Sequence, residues 1–533
     1  MSDLLLIGAS GVRAYQTALN VVGENISNAG TQGYVRRDAV IKEAAAGAGG
    51  YPLQIYQRVL GGADATGVAR SWDAFRAADV RNTGSELART QGGIVWLERI
   101  ESALDKNELG KGLTSFFNAA QSLAADPTST ATRATFLETS SALAASFRAT
   151  AEGLAAVGSD LQASAQIAVG ELNDLAKSLA TVNAGLSRAR AGSNGQAQLM
   201  DERDRLLDRM STIASINVKM TDAGMATVAL NSANGPVLVD GVNAEELTLS
   251  VNPSGSFALT LDPFGNPQAI TLKSGTLAGF ADASTRVVDA RNEIDRITTT
   301  FADTVNAVQA GGVDLNGNAG QPMFDASGGA ANFTMLLADP RSIAAAAAWT
   351  VTTPSSNAGS GSIKVTTDPS GTPSPAVNLS ISGGVLSAID PVTGTVIATT
   401  PYVAGQPVTL AGLNVTVTGT PADGDRFSVA ATGAGSRDNG ALATLADARR
   451  TGNFEGAVAT LTTSNAATLS ARRTVADAQS AIKDGAIAAR DNLSGVNLDN
   501  EAVELMRFQQ AYQASSRVIQ VSREIFQTIL DAS

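Results

Sequence analysis

Apolar residues recur at intervals of seven at both ends of the chain, and this pattern limits the available folds more than any other feature. Near the start, Leu5, Val12, Leu19 and Ile26 form one series, and Gly8, Tyr15, Val22 and Ala29 a second. Near the end, Leu498, Leu505, Tyr512, Ile519 and Phe526 form a third, flanked by Phe508 and by Leu530. Two series offset by three are the a and d stripes of a coiled-coil seam, so each end is expected to be a helix of roughly 25–35 residues. The few side chains of such a seam bury too little area to order both ends alone. Order is therefore expected to come from neighbouring chains, with Leu4, Ile7, Val503, Met506, Val518, Val521 and Ile525 as further apolar surface.

Proline divides what lies between. None precedes Pro52, none follows Pro421, and none falls between Pro127 and Pro236. Helical ends and a strand-rich middle are the expectation. In 342–422 only Lys364, Asp368 and Asp390 are charged, and β-branched runs such as Leu413–Thr418 alternate between Gly and Pro turns. The fold class is multidomain α+β, with terminal coiled-coil helices, an elongated α-helical bundle body and inserted all-β domains of sandwich or barrel type. The expected divisions are a terminal helical domain from 1–40 and 494–533; a helical body from 41–212, 279–348 and 436–493; a β-rich insert at 213–278; and an outer β-rich insert at 349–435. The Gly-rich run 46–50 is read as a flexible joint.

The chain has no cysteine and no histidine, which excludes disulfides, thiolate nucleophiles, Cys/His zinc sites and imidazole bases. A net charge of −12 disfavours nucleic acid. Leu4–Ile7 is too short for a signal peptide or a membrane span, so neither a cleaved leader nor membrane insertion is expected. Asp201–Arg205 is a run of charges read as a solvated or inter-helix ion-paired face rather than a carboxylate catalytic site. Asp314, Asn316, Asn318 and Asp325 have calcium-loop spacing, but Ala319 replaces the glycine such a loop needs, so an Asn/Gly turn is expected. No catalytic residue, cofactor or metal is assigned.

One resemblance organises these readings. Asn25-Ile26-Ser27-Asn28-Ala29-Gly30-Thr31-Gln32-Gly33-Tyr34 resembles the N-I-A-N-x-x-T-x-G-Y/F signature of bacterial flagellar axial proteins. Locally it is a helix end, where Asn and Gly tolerate left-handed backbone and Tyr34 anchors the exit. The segment from Ser494 to Ala502, followed by Leu505-Met506-Arg507-Phe508-Gln509-Gln510-Ala511-Tyr512, resembles the hook-associated protein 1 family of that group. Asn497 or Asp499 can cap the final helix, with Glu501 in its first turn. The segments 201–207, 315–324 and 419–427 are similar to that family more loosely. The resemblance implies a non-enzymatic structural subunit at the hook–filament junction, outside the cell, exported without cleavage through a type III channel. It implies a ring of copies as partners, together with the hook protein, a second hook-associated protein and a cytoplasmic chaperone on the C-terminal helix. Leu5, Val12, Tyr15, Leu19, Val22, Asn25, Ile26, Asn28, Gly33, Tyr34, Leu498, Leu505, Phe508, Tyr512, Ile519, Phe526 and Leu530 are the expected assembly residues. A hook or distal-rod protein is the alternative within this class, and a secreted carboxylate hydrolase or adhesin the alternative outside it.

Overall fold

The alanine-rich, proline-poor stretches become nine helices among the described residues: α1 (Ser2–Ser27), α2 (Ala74–Asp105), α3 (Leu109–Ala125), α4 (Thr130–Leu186), α5 (Asn194–Ile213), α6 (Thr276–Ala310), α7 (Gly440–Gly452), α8 (Phe454–Ser494) and α9 (Leu498–Asp531). The structure is a computed structural model that describes residues 2–43, 61–368 and 375–531. The glycine run at 46–50 lies outside them. The fold is a multidomain α+β chain with long terminal helices and several antiparallel sheets. Among the described residues, no helix is long and apolar enough to cross a membrane. The chain gathers into two compact units, one from 1–97, 159–286 and 468–533, the other from 98–158 and 287–467.

In the first unit, β1 (Arg37–Glu43) and β2 (Ala63–Arg70) form an antiparallel ribbon with Arg37 opposite Arg70. Four strands follow in spatial order: β3 (Ile216–Met220), β4 (Ala226–Leu230), β5 (Val237–Asp240) and β6 (Asn243–Ala244). A second sheet holds β7 (Leu247–Val251), β8 (Phe257–Leu261) and β9 (Gln268–Ile270). These strands do not form a core of their own. Val228, Leu238 and Leu261 pack with Leu172 and Leu179 of α4 and with Leu207 and Met210 of α5. Two buried asparagines of α4 fix the register of this packing. Asn173 brackets the backbone of Leu247 at 2.9 Å in both directions, and Asn183 does the same for Ala226. An amide that both donates and accepts leaves neither backbone group unpaired in the core.

In the second unit, Phe116, Phe136, Phe147, Phe301, Phe324 and Phe333 form an aromatic core whose ring centroids lie 4.9–6.4 Å apart. Buried Arg133 donates to the carbonyls of Pro127 and Ile343, and burial lowers its pKa. Asp314 Oδ1 accepts the backbone N–H groups of Asn316 and Asn318 at 2.9 and 2.8 Å, which makes that segment a turn closed on its own carboxylate. The described residues of 349–431 form a two-sheet sandwich. One sheet runs Trp349–Thr352, Arg426–Ala431, Ala376–Ser382, Val385–Ile389 and Val396–Pro401 in spatial order; the other runs Ser362–Thr367, Leu413–Thr418 and Pro407–Leu410. Their alternating inner residues enclose one apolar core.

Candidate assembly interface

The helices α1 and α9 lie against each other, and small side chains make the contact. Gly8, Gly11, Ala14, Ala18 and Val21 are the buried stripe of α1. A Cβ placed on Gly8 would stand 2.7 Å from Ile519 Cγ1, and one on Gly11 would stand 2.6 Å from Ser515 Oγ. The backbones thus approach closely because nothing larger than hydrogen intervenes. On α9 the facing residues are Leu505, Phe508, Tyr512, Ser515, Ser516 and Ile519, half-buried, with Glu501 and Ser522 fully covered. Tyr15 and Phe508 meet across the pair with ring centroids 6.4 Å apart.

This geometry corrects the seam expected from the sevenfold spacing. Leu5 and Ile26 are exposed, and Val12 and Leu19 are only half-buried. Of the second series, Gly8 and Val22 are buried, Tyr15 is half-buried and Ala29 is exposed. In the C-terminal series, Leu498 and Phe526 are exposed while Leu505, Tyr512 and Ile519 face α1. The side chain of Leu530 lies outside the described set. The physical reason is the preference for the closest backbone approach: the glycine and alanine edge of α1 turns inward and the large residues turn out. The two ends also pair with each other within the chain. Leu4, Leu5, Leu6, Val503, Met506, Val521 and Phe526 remain uncovered.

A polar cluster closes the base of the pair. Asn25, fully buried on α1, uses its whole amide. Oδ1 accepts from the Tyr34 hydroxyl at 2.8 Å and from the Arg37 N–H at 3.1 Å. Nδ2 donates to the Arg37 carbonyl at 2.8 Å and to Glu501 Oε2 at 2.9 Å. Glu501 is itself fully buried, and its other oxygen accepts from Arg36 Nε at 2.7 Å. Burial pushes the Tyr34 phenol up to about 12, with Arg37 opposing, so the hydroxyl stays a donor. Asn497 Oδ1 caps α9 through the N–H groups of Asp499 and Asn500. Glu501 is thus a buried partner of the N-terminal segment, a role that its place in the first helical turn did not announce.

The cluster continues into the body of the same unit. Arg37 reaches Asp201 at 2.7 Å and Glu24 at 3.1 Å, and Arg70 reaches Asp201 at 2.8 Å and Asp204 at 2.7 Å. The 201–205 run is therefore an inter-element ion-pair site. Arg205 pairs with Glu202 at 2.5 Å, not with Asp201. Burial raises the pKa of Asp201 although Arg70 and Arg37 oppose it, and burial lowers that of Arg203. Gly33 sits at φ +77°, and a Cβ there would meet Arg205 Cγ at 2.7 Å, so only glycine fits. Asn28 donates to the carbonyl of Glu24 and ends α1. The arginines that complete this cluster carried no pattern of their own; only the apolar spacing around them was conspicuous.

Comparison with known proteins agrees with this architecture. Residues 97–324 match the family model of the flagellar hook-associated protein FlgK helical domain, and 490–532 match that of the flagellar basal body rod FlgEFG protein C-terminal region. Flagellar hook-associated protein 1 of Escherichia coli (strain K12) is 27% identical over 100% of both chains. That of Bacillus subtilis (strain 168) is 26% identical over 59% of this chain and 68% of its own. The structure of the flagellar hook junction protein FlgK from Burkholderia pseudomallei has the same fold, with TM-score 0.65 and 18% identity over 77% of this chain and 99% of its own. Similar from end to end to proteins of one kind, and matched through its long helices by the FlgK helical-domain model, the chain resembles the flagellar hook-associated protein 1 family.

Proposed function

We propose that the protein is a structural subunit that joins the flagellar hook to the filament and that its α1–α9 pair is the assembly element. Similarity to flagellar hook-associated protein 1 over the whole chain supports the role, and one observation carries the mechanism. The pair closes through its smallest residues, which leaves Leu4, Leu5, Val503, Met506, Val521 and Phe526 facing outward. Exposed large side chains along two adjoining helices make an apolar surface of the kind that a partner covers. Neighbouring copies in a ring, the hook protein on one side and a second hook-associated protein on the other are the partners this surface fits. A cytoplasmic chaperone covering α9 before export through the type III channel would shield the same residues.

The match of 490–532 to a rod-protein C-terminal model supports a terminal module shared across axial subunits. The long helices matched at 97–324 favour the junction over the hook or distal rod. A hydrolase on the outer sandwich has little support, since Asp390 spends its carboxylate on the N–H groups of Val392 and Thr393 at 2.7 and 2.9 Å. The test is gold labelling of a tagged copy in motile cells, with Val503→Asp/Val521→Asp beside the wild type. The wild type should label one point between hook and filament, and the double variant should be folded and absent from it. Label along the whole hook, or normal incorporation of the variant, contradicts the reading.

A further inference from the structure

Beside the loop that leaves α1 runs a groove of about 390 Å³, lined by Arg81, Arg205, Arg209, Lys483 and Arg490 with a single acidic residue, Asp208. Five cations and one carboxylate in the lining make a local excess of positive charge in a chain of net charge −12. Asp208 stands 3.5 Å from Arg81 and 3.4 Å from Arg490, and Arg490 also holds Asp491 at 3.0 Å. Its carboxylate is 39% exposed, and desolvation raises its pKa against the pull of Arg81 and Arg490. Arg205 and Arg209 hold Glu202 and Glu171 at 2.5 and 2.7 Å, but these pairs are solvent-facing and readily exchanged. Lys483 makes no ion pair among the described residues. Gln32 and Gly33, from the signature loop, form part of the same wall. Ala29 to Gly33 are exposed, and the polar cluster below uses only Asn25 and Tyr34 of that motif.

We infer that this groove receives an acidic segment of a second copy of the chain. Charge complementarity selects the occupant: copies of a −12 chain repel over most of their surface, and the groove supplies the opposite sign where another copy can dock. The inference rests on the reading above, in which copies stand side by side.

The test uses hook–filament assemblies detached from cells and a zero-length carbodiimide, which joins a lysine only to a carboxylate it touches. The expected product is a covalent dimer of this chain in which Lys483 is linked to an Asp or Glu of the second copy. It should disappear at high salt and in Lys483→Arg, which keeps the charge but cannot react. Arg209→Glu/Lys483→Glu should lower the amount of protein at the junction, while Lys483→Arg leaves it unchanged. A Lys483 link to a different subunit, a link within one chain only, or full junction occupancy by the charge-reversed variant overturns the inference. Absence of the wild-type protein from the junction would instead overturn the functional reading, so the two failures are distinguishable.

Discussion

The outer sandwich and the terminal helix pair solve the same problem in opposite ways. In the sandwich, alternating residues such as Val377, Leu379, Ile381, Val415, Val417 and Phe427 are all at or near zero exposure. Its two sheets cover each other, and its apolar core is finished within the chain. In the helix pair the covered stripe of α1 is mostly glycine and alanine, and large side chains such as Leu5, Val503, Met506 and Phe526 are left outside. One region is complete; the other is closed only where backbones touch. The difference teaches where the chain can be cut. Removing 349–431 should leave a folded protein that still reaches the flagellum, whereas removing 498–533 should abolish incorporation. Swimming assays with labelling of flagella compare the two, and equal losses would break the contrast.

Next in size is the polar cluster. Asn25→Ala leaves Glu501, the Tyr34 hydroxyl and both backbone groups of Arg37 without their partner in a dry site. That should cost about 2–4 kcal/mol, read by urea unfolding. Glu501→Gln preserves the shape and the contact with Asn25 but removes the charge facing Arg36, so about 1–3 kcal/mol is expected. The same substitutions cannot affect the sandwich core, and hydrogen exchange should show the loss confined to α1, α9 and β1.

Proline spacing and β-branched alternation made the helices and the sandwich legible, because propensity and burial act on the same residues there. The terminal helices were legible as elements but not in their facing. A period of seven identifies a stripe of large residues, and large residues normally point to the nearest partner. Here Gly8 and Gly11 permit an approach that large residues prevent, so the smaller stripe faces inward. The polar cluster was only half legible. Asn25 and Tyr34 stood out through their motif, whereas Glu501 meets Arg36 and Asn25 from a helix more than 450 positions away in sequence, and Arg70 joins Arg37 at Asp201 only through the pairing of β2 with β1. No local pattern encodes that meeting. The inner β unit at 213–278 was visible as strands, but the sharing of its core with α4 and α5 was not, because periodicity is silent about which element lies opposite.

Glycine substitutions on α1 sharpen the comparison at smaller cost. A Cβ at Gly8 would meet Ile519 at 2.7 Å, and the nearest backbone atoms of α9 lie at 3.3 Å, so the helices must separate. Gly8→Val should destabilise the pair by about 1–3 kcal/mol through overpacking. Gly23, on the same helix, has no atom within 4 Å of its would-be Cβ. Gly23→Ala should therefore stabilise by about 0.5–1 kcal/mol, the ordinary gain in helix propensity. Opposite signs from two glycines on one helix would establish that close approach, not helix propensity, sets the seam. Like signs would remove the argument for it.

The smallest effect is the pH response, and it should run in opposite directions in the two regions. In the sandwich, backbone N–H groups hold Asp390 and Asp425 below the ordinary carboxylate value: those of Thr393 and Val392 for the first, those of Ala422, Gly359 and Ala358 for the second. A depressed folded pKa contributes stability above the unfolded value of about 3.9 and loses it as pH falls through the folded one. In the first unit, burial raises Asp201 and Asp208, so their ionised forms weigh against folding at neutral pH. That burden lifts as pH falls through their raised values toward the unfolded one. The three tryptophans separate the signals, since Trp349 lies in the sandwich and Trp72 and Trp96 lie in the first unit. Fluorescence melts of Trp72→Phe/Trp96→Phe should show the sandwich weakening on acidification below about pH 4. Melts of Trp349→Phe should show the first unit gaining stability as pH falls toward about 4, and Asp425→Asn added to the Trp72→Phe/Trp96→Phe chain should reduce the acid loss of the sandwich. Parallel acid losses in both reporters would mean that the ion pairs around Asp201 outweigh its burial, and the contrast between a buried carboxylate and a turn-held one would fail.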